Sequence, residues 1–166
     1  DPERLIRLFR HSQRLGAKLS PSLRSMVRNR LALIDSALIN SSSANVTFRS
    51  IMQEIGNVST TLCEMHELGV LGRFVPEFGR LTCKVQHDLY HRFTADIHVL
   101  HCITVLDEIF QGKNKSAPHY LEALRKNEVP GLLYLILFLH GLGKDQGPKG
   151  HCERGVEIAN NMMDRL

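Results

Sequence analysis

Nine histidines in 166 residues are the side chains best placed to do chemistry, and four of them, His98, His101, His140 and His151, fall near expected helix ends or on otherwise apolar helices. Neutral imidazole ligates first-row metals, and an all-helical scaffold can bring ligands from separate helices to one cavity. His98 and His101 are three residues apart and so share a helix face. A histidine taken singly is as a rule a hydrogen-bonded core or surface residue, so spacing alone promotes none of them to a ligand. His87-Asp88, with His91 on the same side of a helix, is a second pattern that could bind metal. Local capping just ahead of the next helix is the favoured reading of that dipeptide.

Other chemistries lack their parts. The chain has no G-x-x-x-x-G-K-[ST] loop, no G-x-S-x-G elbow and no H-E-x-x-H, which removes phosphate-loop NTPase, serine hydrolase and zincin readings. GLGKDQG at 141–147 resembles a phosphate cradle only superficially, because its glycines follow a helix rather than a strand and serve better as a helix stop. Lys144 within it is either a counter-charge for a phosphate beside a metal site or a plain solvent lysine. Cys63, Cys83, Cys102 and Cys152 include no C-x-x-C pair, which reads as free thiols in a reducing, cytoplasmic compartment. No apolar run approaches the roughly 20 residues of a membrane span. Of the 21 basic residues, eight lie in the first 30 positions against Asp1 and Glu3. Without interleaved aromatics or a nucleic-acid motif, that excess reads as a solvated helix face or a contact with another domain rather than a nucleic-acid surface.

The elements that must position these groups are helices throughout. Leu5, Ile6, Leu8, Phe9 and Leu15 gather on one side of a first helix, with Arg4, Arg7, Arg14 and Lys18 opposite. Ser20-Pro21 supplies a cap and a first-turn proline for a second helix carrying Leu23, Met26, Val27, Leu31, Ile34 and Leu38. The polar run 40–47 breaks the pattern before Phe48, Ile51, Met52 and Ile55 resume it, and Leu62, Met65 and Leu68 mark another helix. Gly69, Gly72, Pro76 and Gly79 punctuate short helical turns linking two layers. Thr94 is a candidate cap, with Asp96 favouring the positive end of a buried helix, ADIHVLHCITVLDEIF. A loop, a short helix HYLEALRKN, an apolar helix from Pro130 ended by Gly141 and Gly143, and a last helix complete an all-α, multi-helix bundle.

The run MHELGVLGRFVPEFGRLTCKVQHDLYHRFTADIHVLH (65–101), followed by LLYLILFLHGLGKDQGPKGHCERG, resembles the central region of the bifunctional uridylyltransferase/uridylyl-removing enzymes that modify the nitrogen-regulatory PII protein. The resemblance implies that residues 1–80 are the helical segment following a nucleotidyltransferase domain, which would lie upstream. Residues 81–166 would be the front part of an HD-type domain, an all-helical, metal-dependent phosphohydrolase. The family's first histidine ligand falls on His98 within ADIHVL, its paired histidine on His140, and the histidine opening the next helix on His151. Lys144 matches a lysine shortly after the pair, and the paired aspartate falls on Gly141.

The implied activity is hydrolysis of the phosphodiester joining uridylate to a tyrosine of PII, with PII as partner and a divalent metal, Mg or Mn, as cofactor. Gly141 departs from the pattern. An aspartate is the anionic ligand that draws a dication out of water, and glycine has no side chain to offer, so the resemblance implies a weakened site. Asp145 replaces it only if the helix runs on past Gly143, and the final aspartate of the family would lie on a helix beyond Leu166. The alternative is a degenerate HD module that binds PII or a nucleotide without turnover.

Overall fold

The computed structural model describes residues 1–83, 93–114, 118–126, 128–143 and 150–166, and among these it contains eleven α-helices and no strand. His87, Asp88, His91, Lys144 and Asp145 lie outside the described residues, as does the side chain of His151. No helix among the described residues is long and apolar enough to cross a membrane.

Helix α1 (Arg4–Leu15) buries Leu5, Ile6, Phe9 and Gln13 and stops at Gly16, whose positive φ admits the left-handed turn. Leu15, expected on the buried stripe, is 79% exposed. At 100° per residue it stands roughly 130° from the stripe's centre. The polar Gln13 falls within the stripe and is buried instead, because its side-chain amide is satisfied there: Gln13 Nε2 donates to the carbonyls of Ile51 at 3.1 Å and Asn57 at 2.7 Å.

The expected second helix is three pieces. Helix α2 (Pro21–Arg28) begins as expected, with Ser20 Oγ accepting from the Leu23 amide and proline in the first turn. A 3₁₀ turn follows at Leu31–Leu33, and Asp35 then caps a new short helix, α3 (Ser36–Ile39), by accepting from the Leu38 amide at 2.9 Å. A side chain that competes for backbone amides in this way restarts the helix in a new direction. Nor is the polar run 40–47 a break: it opens α4 (Ser42–Met52), with Ser41 as the cap. The hydroxyls of Ser41 and Ser43 donate to the two oxygens of Glu3, at 2.6 and 2.9 Å, and tie this helix start to the head of α1. Those two hydroxyls hold the Glu3 carboxyl below its ordinary range.

Helix α5 (Ser59–Glu67) leads into two short helices, α6 (Val70–Phe74) and α7 (Pro76–Gly79). These cross so closely that a Cβ on Gly79 would stand 2.3 Å from the Gly72 carbonyl oxygen, which requires glycine there. Helix α8 (Ala95–Phe110) packs between α5 and α10 (Pro130–Leu139), with α9 (Pro118–Arg125) against α8 and α11 (His151–Arg165) against α10. Aromatic rings join the two halves of the chain: Phe138 of α10 stacks on Phe78 at 5.3 Å and meets Phe48 edge-on at 6.0 Å, and Phe48 in turn touches Phe74 at 5.5 Å.

The basic surplus of the first 30 residues is partly matched locally. Arg7 pairs with Asp1, Arg10 with Glu54 at 2.5 Å, and Arg24 with Glu64 and Glu67 at 2.6 and 2.9 Å.

Candidate metal centre

Helix α8 positions the site through two polar faces. Asp96 and Asp107 are eleven residues apart and so stand within roughly 20° of each other around the helix, while His98 and Cys102 lie roughly 200–240° from Asp96, on the far side. The first face turns to α5. Asp107, buried, accepts from the Val58 amide at 3.0 Å and the Ser59 amide at 2.7 Å, so a carboxylate from α8 caps the start of α5. The same carboxylate accepts from the Tyr134 hydroxyl of α10 at 2.6 Å, and that oxygen accepts from the Gly56 amide at 2.8 Å. Burial, and then Asp107 holding the phenolic proton, push Tyr134 well above the usual tyrosine range. At the other end of α8, Asp96 Oδ2 lies 3.3 Å from His66 Nε2 of α5, and His66 meets Phe78 edge-on at 5.5 Å. The backbone of Thr94 is extended as a cap requires, but its side chain makes no capping bond; Asp96 is engaged with α5 rather than serving only the helix end.

On the opposite face, His98 and Cys102 stand one turn apart, with Nε2 and Sγ at 3.8 Å. His140, the C-cap of α10, brings its ring to 5.6 Å from that of His98, centroid to centroid. Donor atoms of His98, Cys102 and His140 all lie within 4.8 Å of one another, a spacing that could hold a metal ion. His140 Nδ1 is bonded to the Leu137 carbonyl, which can only accept, so Nδ1 carries a proton and Nε2 is the nitrogen that can offer a lone pair when the ring is neutral. A histidine that donates one ring N–H to a backbone carbonyl and keeps the other nitrogen for a cation is the usual arrangement at metal centres.

The structure thus brings together two of the sequence-derived residues, His98 and His140. His101, though on the same helix, turns to Phe93, with ring centroids 5.2 Å apart. Helix α11 begins at His151, whose side chain, like Lys144, lies outside the described residues. Cys102 is the member that sequence reasoning missed. Its signal was there, four residues after His98, but a cysteine search directed at C-x-x-C pairs passes over a mixed His-x-x-x-Cys step.

Gly141 is buried, and a Cβ built on it would stand 2.9 Å from Val99 Cγ2. The space an aspartate would need is taken by the residue adjacent to His98. No disulfide joins the four cysteines, and Cys102 is half-buried.

No solved structure matches the chain. Residues 1–74, running from α1 to the last residue of α6, match the family described as the third domain of the uridylyltransferase GlnD, which marks this part of the chain as similar to a GlnD-type uridylyltransferase.

Proposed function

We propose that the chain is a piece of a cytoplasmic PII-uridylyltransferase/uridylyl-removing protein in which residues 81–166 form the front of an HD-type phosphohydrolase domain. The observation that carries this reading is the approach of His98 and His140, from two separate helices, to a ring separation of 5.6 Å. The GlnD third-domain match over residues 1–74 supports it independently, since it precedes the histidine cluster in the chain. The target would be the phosphodiester that joins uridylate to a tyrosine of PII.

A divalent cation, when bound, supplies charge stabilisation for phosphate oxygens and makes water a better nucleophile at neutral pH. The chain's own contribution is to hold the donors. His98 is carried on a helix pinned to α5 at both ends by Asp96 and Asp107, and His140 is oriented by its proton on the Leu137 carbonyl. Lys144 and His151 keep the roles of phosphate contact and third imidazole within this proposal. Activity is weakened because Gly141 supplies no carboxylate.

A second reading has its own observation. Val99 fills the place of the absent aspartate side chain, which suits a non-catalytic HD module that binds PII or a nucleotide. Hydrolysis of bis-p-nitrophenyl phosphate, titrated with divalent metals, separates the two. Metal-dependent turnover that disappears in His98→Ala and in His140→Ala is the expected result; absence of turnover with every metal, alongside retained binding of PII, decides for the module.

A further inference from the structure

We infer that the cluster of His98, Cys102 and His140 is a nitrogen–sulfur site in which the Cys102 thiolate supplies the negative charge that Gly141 does not, so that it takes a Zn²⁺-class cation in preference to Mg²⁺ or Mn²⁺. The inference rests on the cation reading above for His98 and His140, and departs from it in the identity of the metal and of the anionic ligand.

Three observations carry it. The first is donor chemistry. Among the described residues the metal-ligating group contains two imidazoles and a thiol and no carboxylate. Magnesium and manganese prefer oxygen donors in octahedral arrays, whereas imidazole and thiolate together suit zinc and cobalt. The second is distance. Bond lengths of about 2.0–2.1 Å to nitrogen and about 2.3 Å to sulfur in a tetrahedron put two nitrogens about 3.3–3.4 Å apart and a nitrogen and a sulfur about 3.5–3.6 Å apart. His98 Nε2 and Cys102 Sγ stand at 3.8 Å, within about 0.3 Å of that spacing, and the 4.8 Å bound on the whole trio leaves at most about 1.5 Å to close. His140, exposed at the end of its helix, is the member that would close it. The third is rigidity. His98 and Cys102 are on one face of a sixteen-residue helix whose opposite face is pinned, so their mutual spacing is set by the backbone.

Binding replaces the S–H bond with a metal–sulfur bond, and the thiol proton leaves to the solvent. The protein then contributes three ligands and one negative charge, leaving the fourth tetrahedral position to an exchangeable ligand, the arrangement that distinguishes catalytic from structural zinc sites.

The test uses the whole chain and the metals alone. Co²⁺ added to the wild-type protein is expected to produce a near-ultraviolet thiolate-to-cobalt charge-transfer band, displaced by Zn²⁺ and not by a large excess of Mg²⁺. Cys102→Ser is expected to remove the band and to weaken Zn²⁺ binding, read by chelator competition, by at least about 10-fold. Cys83→Ser, an exposed cysteine outside the cluster, is expected to leave both unchanged. Circular dichroism of each variant checks folding, and should Cys102→Ser unfold, Cys102→Ala together with loss of the thiolate band in His98→Ala decides, since His98 is the neighbour one turn from Cys102. Co²⁺ or Mn²⁺ bound without a thiolate band, and lost in His98→Ala, would overturn the inference and leave the histidine-centred reading standing. Failure of any divalent ion to bind overturns both.

Discussion

At the scale of single residues, Gly141 limits what the cluster can become. Val99, whose Cγ2 faces it at 2.9 Å, is fully buried and β-branched, with little rotamer freedom to yield. An aspartate at 141 therefore overpacks the contact between α8 and the end of α10, at a cost of about 1–3 kcal/mol. Gly141→Asp is expected to lower stability in urea by that amount, and by less in a Val99→Ala background, where a removed methyl leaves room. Equal losses in both backgrounds would acquit Val99. Residue types made His98 and His140 legible in the sequence, since imidazoles on apolar helices stand out against their surroundings. At Gly141 only the resemblance spoke, as a departure from the family's aspartate. That Val99, next to His98, fills the space beside Gly141 depends on the packing of two helices, which no spacing along the chain encodes.

At the scale of elements, a one-sided apolar stripe located α1, and long, nearly all-apolar runs located α8 and α10. The periodicity misplaced the breaks between α2, α3 and α4. There the deciding residues are Asp35 and Ser41, short polar side chains that look like loop residues and act as caps. The same difficulty hid Asp107, which sits in an apolar helix as any surface acid might, yet is 4% exposed and serves two amides and a hydroxyl. Its partner Tyr134 carries a consequence for pH. A tyrosine whose folded pKa is raised above about 10 binds its proton more tightly in the native state, so its contribution is complete below pH about 10 and is lost as pH climbs toward the folded value. Wild type is therefore expected to lose stability above pH about 10 more steeply than Tyr134→Phe. At neutral pH the variant is expected to be weaker by about 1–3 kcal/mol, because the Gly56 amide and one Asp107 oxygen lose a partner. Denaturant midpoints from pH 7 to 11 measure both; parallel curves would mean that the phenol does not titrate with unfolding.

At the scale of the whole molecule, the segment that matches the GlnD third domain does not bury its apolar surface by itself. Phe48 and Phe74, within residues 1–74, reach Phe138 of α10 directly and through one another, and the buried cluster runs without interruption from Leu5 to Met162. A core shared in this way couples the His98–Cys102–His140 cluster to the N-terminal helices, since α10 carries Phe138 and ends at His140. Phe138 is fully buried, so Phe138→Ala is expected to cost about 3–5 kcal/mol. The expected loss is global, and the composition supplies two probes that can tell. There is no tryptophan, and the three tyrosines, Tyr90, Tyr120 and Tyr134, all lie outside the matched segment, so intrinsic fluorescence reports only on the later part of the chain. Far-ultraviolet ellipticity reports on every helix, including α1 to α6. With one cooperative unit the two transitions coincide in wild type and shift together in Phe138→Ala. If the fluorescence midpoint moved while a substantial share of ellipticity melted at the wild-type midpoint, residues 1–74 would be folding on their own, and the aromatic bridge would be a contact between independent units rather than a common core.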